Sequence, residues 1–249
     1  MVQPSPSPAA PRVRAEGVES TLRRDILSGR YQPGDHLPPE RELALQLGTN
    51  RNTLREALRI LESQNLIQSR QGDGTIVVDW QRDGELSLLG AFLVEDTSPA
   101  LRLQALGTLL ALRERLLGEV VELAAVRATA ADHAGLADAL DALRRARPAE
   151  VPAADVELFR RLVLSAHDLV VAWIFNTFAR TLLTLADRYP DAWRHDPPYL
   201  EALQRLLDQL RAGDGAAARR TLRRTFQTGD PNALEAVAAR HKPTKSRKK

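Results

Sequence analysis

The sequence predicts a mainly α-helical protein in two parts: a small N-terminal domain of three helices and a hairpin, then a larger all-helical bundle. Three observations predict it. Apolar residues recur three and four apart in short stretches between Val18 and Leu61, and Gly and Pro punctuate them. The run "NLIQSRQGDGTIVVD" then supplies two strand-like segments around a Gly-rich tetrapeptide, a hairpin by composition. From Pro99 onward the chain reads as helix with no internal repeat of fixed period, which favours a bundle over a solenoid.

The first helix has Val18, Leu22 and Ile26 at four-residue intervals and stops at Gly29 and "QPGD". The second is short, with Pro39 suited to its first turn, Leu43 and Leu47 on one face, and Gly48 as a left-handed cap. Asn50 caps the third, whose Leu54, Ala57, Leu58 and Leu61 form a buried stripe while Arg51, Arg55 and Arg59 lie on another face. "WQRDGELSLLGAFLVEDTSP" is a polar break followed by an amphipathic piece. Beyond it, "ALRLQALGTLLALRERLLGEVVELAAVRAT" and "AADHAGLADALDALRRAR" are helices, and "PAEVPAADVELFRRLVLSAHD" begins another. Four more are expected: Leu169 to Arg188, Pro198 to Ala212, Gly215 to Thr228, and Pro231 to Arg240. The domain boundaries implied are a disordered leader 1–12, a winged domain 13–80, a linker or short helix 81–98, a helical domain 99–239 and a basic tail 240–249.

With 249 residues and 43% hydrophobic content the chain can bury a substantial core. Cys is absent, which excludes disulfides and thiolate metal sites and fits a reducing compartment, read here as the cytoplasm. The start "MVQPSPSPAAPR" lacks a signal-peptide core, and no run of 18 consecutive apolar residues occurs, so no membrane span is expected. The net charge of +3 comes from the tail "RHKPTKSRKK", which holds every Lys; residues 13–80 carry nine Arg against ten Asp plus Glu. Placement, not net charge, must carry any argument for nucleic acid.

"ERELALQLGTNRNTLREAL" has the layout of a helix-turn-helix, in which the start of the second helix enters the major groove. Asn and Arg bond bidentately to adenine and guanine edges, Thr reaches phosphate or a thymine methyl, and free first-turn N–H groups favour phosphate. A lone helix of this kind is better explained as a capped, solvated element. The hairpin that follows makes it a winged variant, with Arg70 and Gln71 beside Gly72 and Gly74 at a tip able to approach the minor groove.

The run from "VESTLRRDILSG" to "RQGDGTIV" resembles the winged DNA-binding domain of GntR-type bacterial transcription regulators, with "PGDHLPPERELA", "NRNTLREAL" and "RQGDGTIV" in the family's order and spacing. The resemblance implies base and phosphate contact from Arg41, Asn50, Arg51, Asn52, Thr53 and Arg55, with Gln71 and Gly72 from the wing. Pro39 departs from the Ser or Ala common there. The remainder is similar to the effector domain of the FadR-type branch through "LLALRERLLGEVVELAAVRAT", "LFRRLVLSAHD" and "LLDQLRAGDGAAARRTLRRTF". Many members of that branch hold a divalent metal with an Asp and three His. Here the His positions read Arg160, Leu203 and Thr225, Asp155 is one place off, and the five His are scattered, so no metal and no other cofactor is expected.

The fatty-acid-responsive FadR proteins also lack that set. On this resemblance the effector is a long-chain acyl-CoA, contacted by Arg113, Arg160, Asn176, Tyr189 and Thr225. The alternatives are a small carboxylate or a sugar acid, or a DNA-binding architectural protein without effector control. For Arg113 itself, an arginine inside an apolar stripe needs an anionic partner, either ligand or a structural salt bridge to Asp155 or Glu119. His167 and Asp168 point to different sides of a helix and imply no catalytic dyad. No nucleophile elbow, phosphate loop or zinc motif occurs, so no enzyme is expected. The expected assembly is a homodimer reading a palindromic double-stranded operator, with half-sites about 34 to 36 Å apart.

Overall fold

The computed structural model describes residues 15–70, 72–94, 98–190, 193 and 196–239, which form two compact units. The expected leader and tail, and Gln71 at the hairpin tip, lie outside the described residues.

The first unit is built on α1 (Ala15–Leu27), α2 (Glu40–Gln46) and α3 (Arg51–Ser63), followed by β1 (Ile67–Arg70) and β2 (Gly74–Val77). α1 packs on α3, and Val18, Leu22 and Ile26 of α1 and Leu54, Ala57, Leu58 and Leu61 of α3 are all buried, none more than 7% exposed. Each large side chain buried this way contributes about 1.5 to 3 kcal/mol, so the α1–α3 contact dominates a domain of this size. Pro39 sits at the N-cap of α2 rather than inside its first turn, leaving that helix without a side-chain cap. Gly48 takes the expected positive φ of 60°.

β1 and β2 pair antiparallel from Ile67 opposite Val77 to Arg70 opposite Gly74. The hairpin also has a companion that periodicity did not reveal. Leu37 N donates to Thr75 O at 2.9 Å, Gly34 N to Val77 O at 2.9 Å, and Val77 N to Asp35 O at 2.8 Å. The α1–α2 loop is thus laid along the outer side of β2. On the other side, Ser69 N donates to Glu62 Oε1 at 2.9 Å. A short helix α4 (Trp80–Asp83), capped by Asp79, and a 3-10 turn (Leu86–Leu88) complete this unit.

The second unit comprises α5 (Leu89–Val94), α6 (Pro99–Arg127), α7 (Ala130–Arg145), α8 (Val151–Leu164), α9 (Leu169–Arg188), α10 (Pro197–Arg211) and α11 (Gly215–Ala239). The helices start where caps dictate. Thr129 and Asp132 form a capping box on α7, and the Asp168 and Asp196 carboxylates accept from Val171 N and Tyr199 N. Val120, Val121, Leu140, Phe159, Leu206 and Leu222 belong to one apolar core drawn from α6, α7, α8, α10 and α11. α5 packs on α9.

α11 corrects the sequence reading, which expected separate helices at Gly215–Thr228 and Pro231–Arg240. The helix runs unbroken through Pro231 to Ala239. An internal Pro removes one backbone hydrogen bond and costs roughly 3 kcal/mol. Packing along α6 and burial of Val237 at 3% exposure offset it. α9 is long and apolar enough by composition to cross a membrane, yet its Phe175, Ala179 and Leu182 lie in the core while Leu169, Val170 and Trp173 remain exposed.

Candidate functional site

The first candidate site is the N-terminal end of α3. Asn50 caps it, its side-chain oxygen accepting from Thr53 N at 2.9 Å, so that oxygen is already engaged and its amide group remains to donate outward. The N–H groups of Arg51 and Asn52 have no intrahelical acceptor, and no acidic residue lies in the first turn to neutralise them. Asn50, Arg51, Asn52, Thr53 and Glu56 line one shallow recess. Arg51, Asn52 and Arg55 are exposed, as is Arg41 on α2. Arg55 is not idle, since its Nε donates to Glu40 Oε2 at 2.9 Å.

Glu56 was missed by the sequence reading. A carboxylate among donors is unsuited to phosphate, but it can accept from the exocyclic amine of cytosine. The one signal for it was its position four residues after Asn52, on the same helix face. At the hairpin tip, Gly72 and Gly74 have φ of 84° and 88°, and a side-chain carbon at either would meet nothing within 4 Å. The tip backbone is therefore open, and its conformation favours glycine. His36 Nε2 lies 3.2 Å from Asp73 Oδ1 and ties the tip to the α1–α2 loop.

The second candidate site is a cavity inside the helical unit. One wall is apolar, with Leu106, Leu110, Leu182, Leu185, Ala233 and Val237; the other is polar, with Arg113, Asp155, Tyr199, Thr225 and Asp230. The space open to the centre of a water-sized sphere is about 100 Å³, within a total empty volume of about 740 Å³ that includes the mouth. Arg113 forms an ion pair with Asp230 and lies over the Phe226 ring, its guanidinium carbon 4.0 Å from the centroid. The expected partners were Asp155 or Glu119. Asp155 faces Arg113 but accepts its hydrogen bond from Tyr199 Oη, and Glu119 pairs with Arg219 at 2.9 Å. The ion pair to Asp230 runs through Nη2, while the Arg113 Nε is buried with no hydrogen-bond partner.

Among the residues proposed for an effector, Arg113, Tyr189 and Thr225 line the cavity, with the Thr225 hydroxyl donating to Thr221 O at 2.9 Å. Arg160 and Asn176 do not line it; they hydrogen-bond to each other across α8 and α9, with Arg160 also 3.4 Å from Glu157. That hydrogen bond engages one terminal nitrogen of Arg160 and the side-chain oxygen of Asn176. Asp155 is surrounded by a guanidinium, a phenol and Trp193, Leu203 is a core residue at 2% exposure, and no cluster of three His, Cys, Asp or Glu able to hold an ion occurs among the described residues. His167 Nε2 lies 2.9 Å from Asp132 while Asp168 caps α9, so the two point apart.

Burial pushes the Asp155 carboxyl up to about 6, against the opposing pull of Tyr199, Arg113 and Trp193. Burial, and then the neighbouring Asp155, hold the Tyr199 phenol well above its usual value. Asp230 is likewise raised by burial and drawn back by Arg113. The native state therefore binds more protons at Asp155 than the unfolded chain between about pH 4 and pH 6, and the stability from this group falls as pH rises through that window. The shift is worth roughly 3 kcal/mol. Asp155→Asn is expected to remove this slope, read as denaturant midpoint against pH; a slope unchanged in the variant would place the titration elsewhere.

Comparison with known proteins gives two family matches: bacterial regulatory proteins, gntR family, over residues 14–77, and the FCD domain over residues 108–228. An uncharacterized HTH-type transcriptional regulator of Mycobacterium tuberculosis is 35% identical over 83% of this chain and 84% of its own. A putative L-lactate dehydrogenase operon regulatory protein of Escherichia coli is 27% identical over 85% and 83%. Among solved structures, Lar, described as controlling expression of the Listeria monocytogenes agr system, matches with a TM-score of 0.60 at 17% identity over 90% of this chain and 98% of that one. At that identity the likeness concerns the fold alone.

Proposed function

The chain belongs to the GntR family and is a transcriptional regulator with an FCD effector-binding domain, and from that premise we propose that a small carboxylate bound beside Arg113 sets its affinity for DNA. Asn50 to Thr53, Arg55 and Arg41 would meet bases and phosphates, with the Gln71–Gly72 wing tip alongside. A homodimer would read the two halves of a palindrome, since one short helix end contacts too few bases for a unique site. The observation that carries the reading is the partly buried Arg113, whose Nε atom is buried with no hydrogen-bond partner in a cavity with both polar and apolar walls.

A small acid is favoured over a long-chain acyl-CoA by the size of the space, which admits a few heavy atoms without rearrangement. The L-lactate dehydrogenase operon relative is consistent with it. The second reading, an acyl-CoA, is supported by the apolar wall of Leu106, Leu110, Leu182 and Leu185, which suits an acyl chain once the cavity opens. In either case the site would work without a divalent metal, because a cation beside Asp155 would face the Arg113 guanidinium.

Thermal unfolding of the full chain with L-lactate, D-galactonate and palmitoyl-CoA tests this. A small acid at about 100 times its Kd should stabilise by about 2.7 kcal/mol. It should also change DNA affinity by about 5- to 150-fold. Stabilisation by palmitoyl-CoA alone would replace the small-acid reading. Stabilisation by any acid only when a divalent metal is added would overturn the metal-free site.

A further inference from the structure

The cavity poses an electrostatic problem for the acid proposed to enter it. Its polar wall holds two carboxylates, Asp155 and Asp230, and one guanidinium, Arg113. With Arg113 paired to Asp230, an incoming anion finds no spare positive charge there. One of the two carboxylates has to give way. Asp155 is held within the bundle by Tyr199 and Trp193. Asp230 is differently placed, its side chain 20% exposed on α11 between Gly229 and Pro231.

Those neighbours make a weak point in the helix. Gly229 has the largest backbone entropy to regain, and Pro231 donates no hydrogen bond to the preceding turn. The segment also lies past residue 228, where the match to the FCD domain ends, although Asp230, Ala233 and Val237 all line the cavity. Asp230 bonds Arg113 through Nη2, leaving Nε unmatched. A free carboxylate can span Nε and Nη2 together, and such two-pronged pairs are stronger than single ones.

We propose that Asp230 is a built-in competitor: its carboxylate occupies the Arg113 guanidinium that an acidic effector uses, and the effector binds by displacing it and loosening the last turns of α11. This rests on the acid-effector reading above. Asp230 would thereby set a threshold, admitting only acids whose bonds to Arg113 and to the cavity walls outweigh the Arg113–Asp230 pair.

The test uses the full chain, wild type and Asp230→Asn, titrated calorimetrically with L-lactate, D-galactonate and octanoate. Amide hydrogen exchange is followed in parallel. Asp230→Asn is expected to bind at least one of these acids about tenfold more tightly, the equivalent of about 1.4 kcal/mol. In the wild type that acid should speed exchange between Asp230 and Ala239. Pro231→Ala, which restores the missing donor, should slow that exchange and weaken binding, which separates the competitor from a merely misfolded variant. Binding seen in Asp230→Asn and absent from wild type would support the proposal most directly. Equal affinity in both proteins, or protection of residues 230–239 by the acid, would overturn the competitor and leave the acid-effector reading standing. No binding to either protein would instead remove the acid-effector reading, and the competitor with it.

Discussion

Arg51→Ala is expected to weaken binding to a specific operator by roughly 1 to 3 kcal/mol per half-site, the usual scale of one bidentate base contact, and to relax the base preference at one position. Arg51 is exposed at the first position of α3, its backbone N–H free of the helix ladder, and it shares a recess with Asn52, Thr53 and Glu56. In a two-fold assembly the loss doubles. The measurement is a competition titration of wild type and variant against operator and scrambled duplex at fixed salt. Base reading predicts that the gap between the two duplexes narrows. An equal loss on both would make Arg51 a phosphate contact and return base reading to Asn52 and Glu56.

Leu54→Ala is the larger effect on stability. Leu54 is fully buried on α3, the helix that packs on α1. Truncating such a leucine costs about 2 to 5 kcal/mol, the spread reflecting how far the site collapses. Domains of this size hold only about 5 to 15 kcal/mol in total, so the first unit is expected to lose much of its folded population, and operator binding with it. The helical unit has its own core and should melt as before. Calorimetry of the full chain reads both: one transition moved down and one unmoved. Equal displacement of both transitions would show that the two cores unfold as one.

What the sequence made legible and what it hid divide along a physical line. Local periodicity and turn chemistry were readable because they are set by neighbours in the chain. The stripe of Leu54, Ala57, Leu58 and Leu61, the cap at Asn50 and the glycines at 48, 72 and 74 all lie where those rules place them. Pairings between distant side chains were not readable. Arg113 found Asp230, 117 residues away, because a helix expected to stop before Pro231 continues and carries Asp230 over α6. Arg160 found Asn176 for the same kind of reason, through the packing of α8 on α9. A charge in an apolar stripe announces that it needs a partner. It does not say which one.

The pairing of the α1–α2 loop with β2 has a consequence for solubility. A two-stranded ribbon presented to a ligand leaves a row of free amides and carbonyls on each side, a template on which other chains add strands and aggregate. Here residues 34–37 occupy one side, and Glu62 takes the Ser69 amide on the other. With both sides engaged by its own domain, the wing offers its tip without also offering an edge on which a fibril could start.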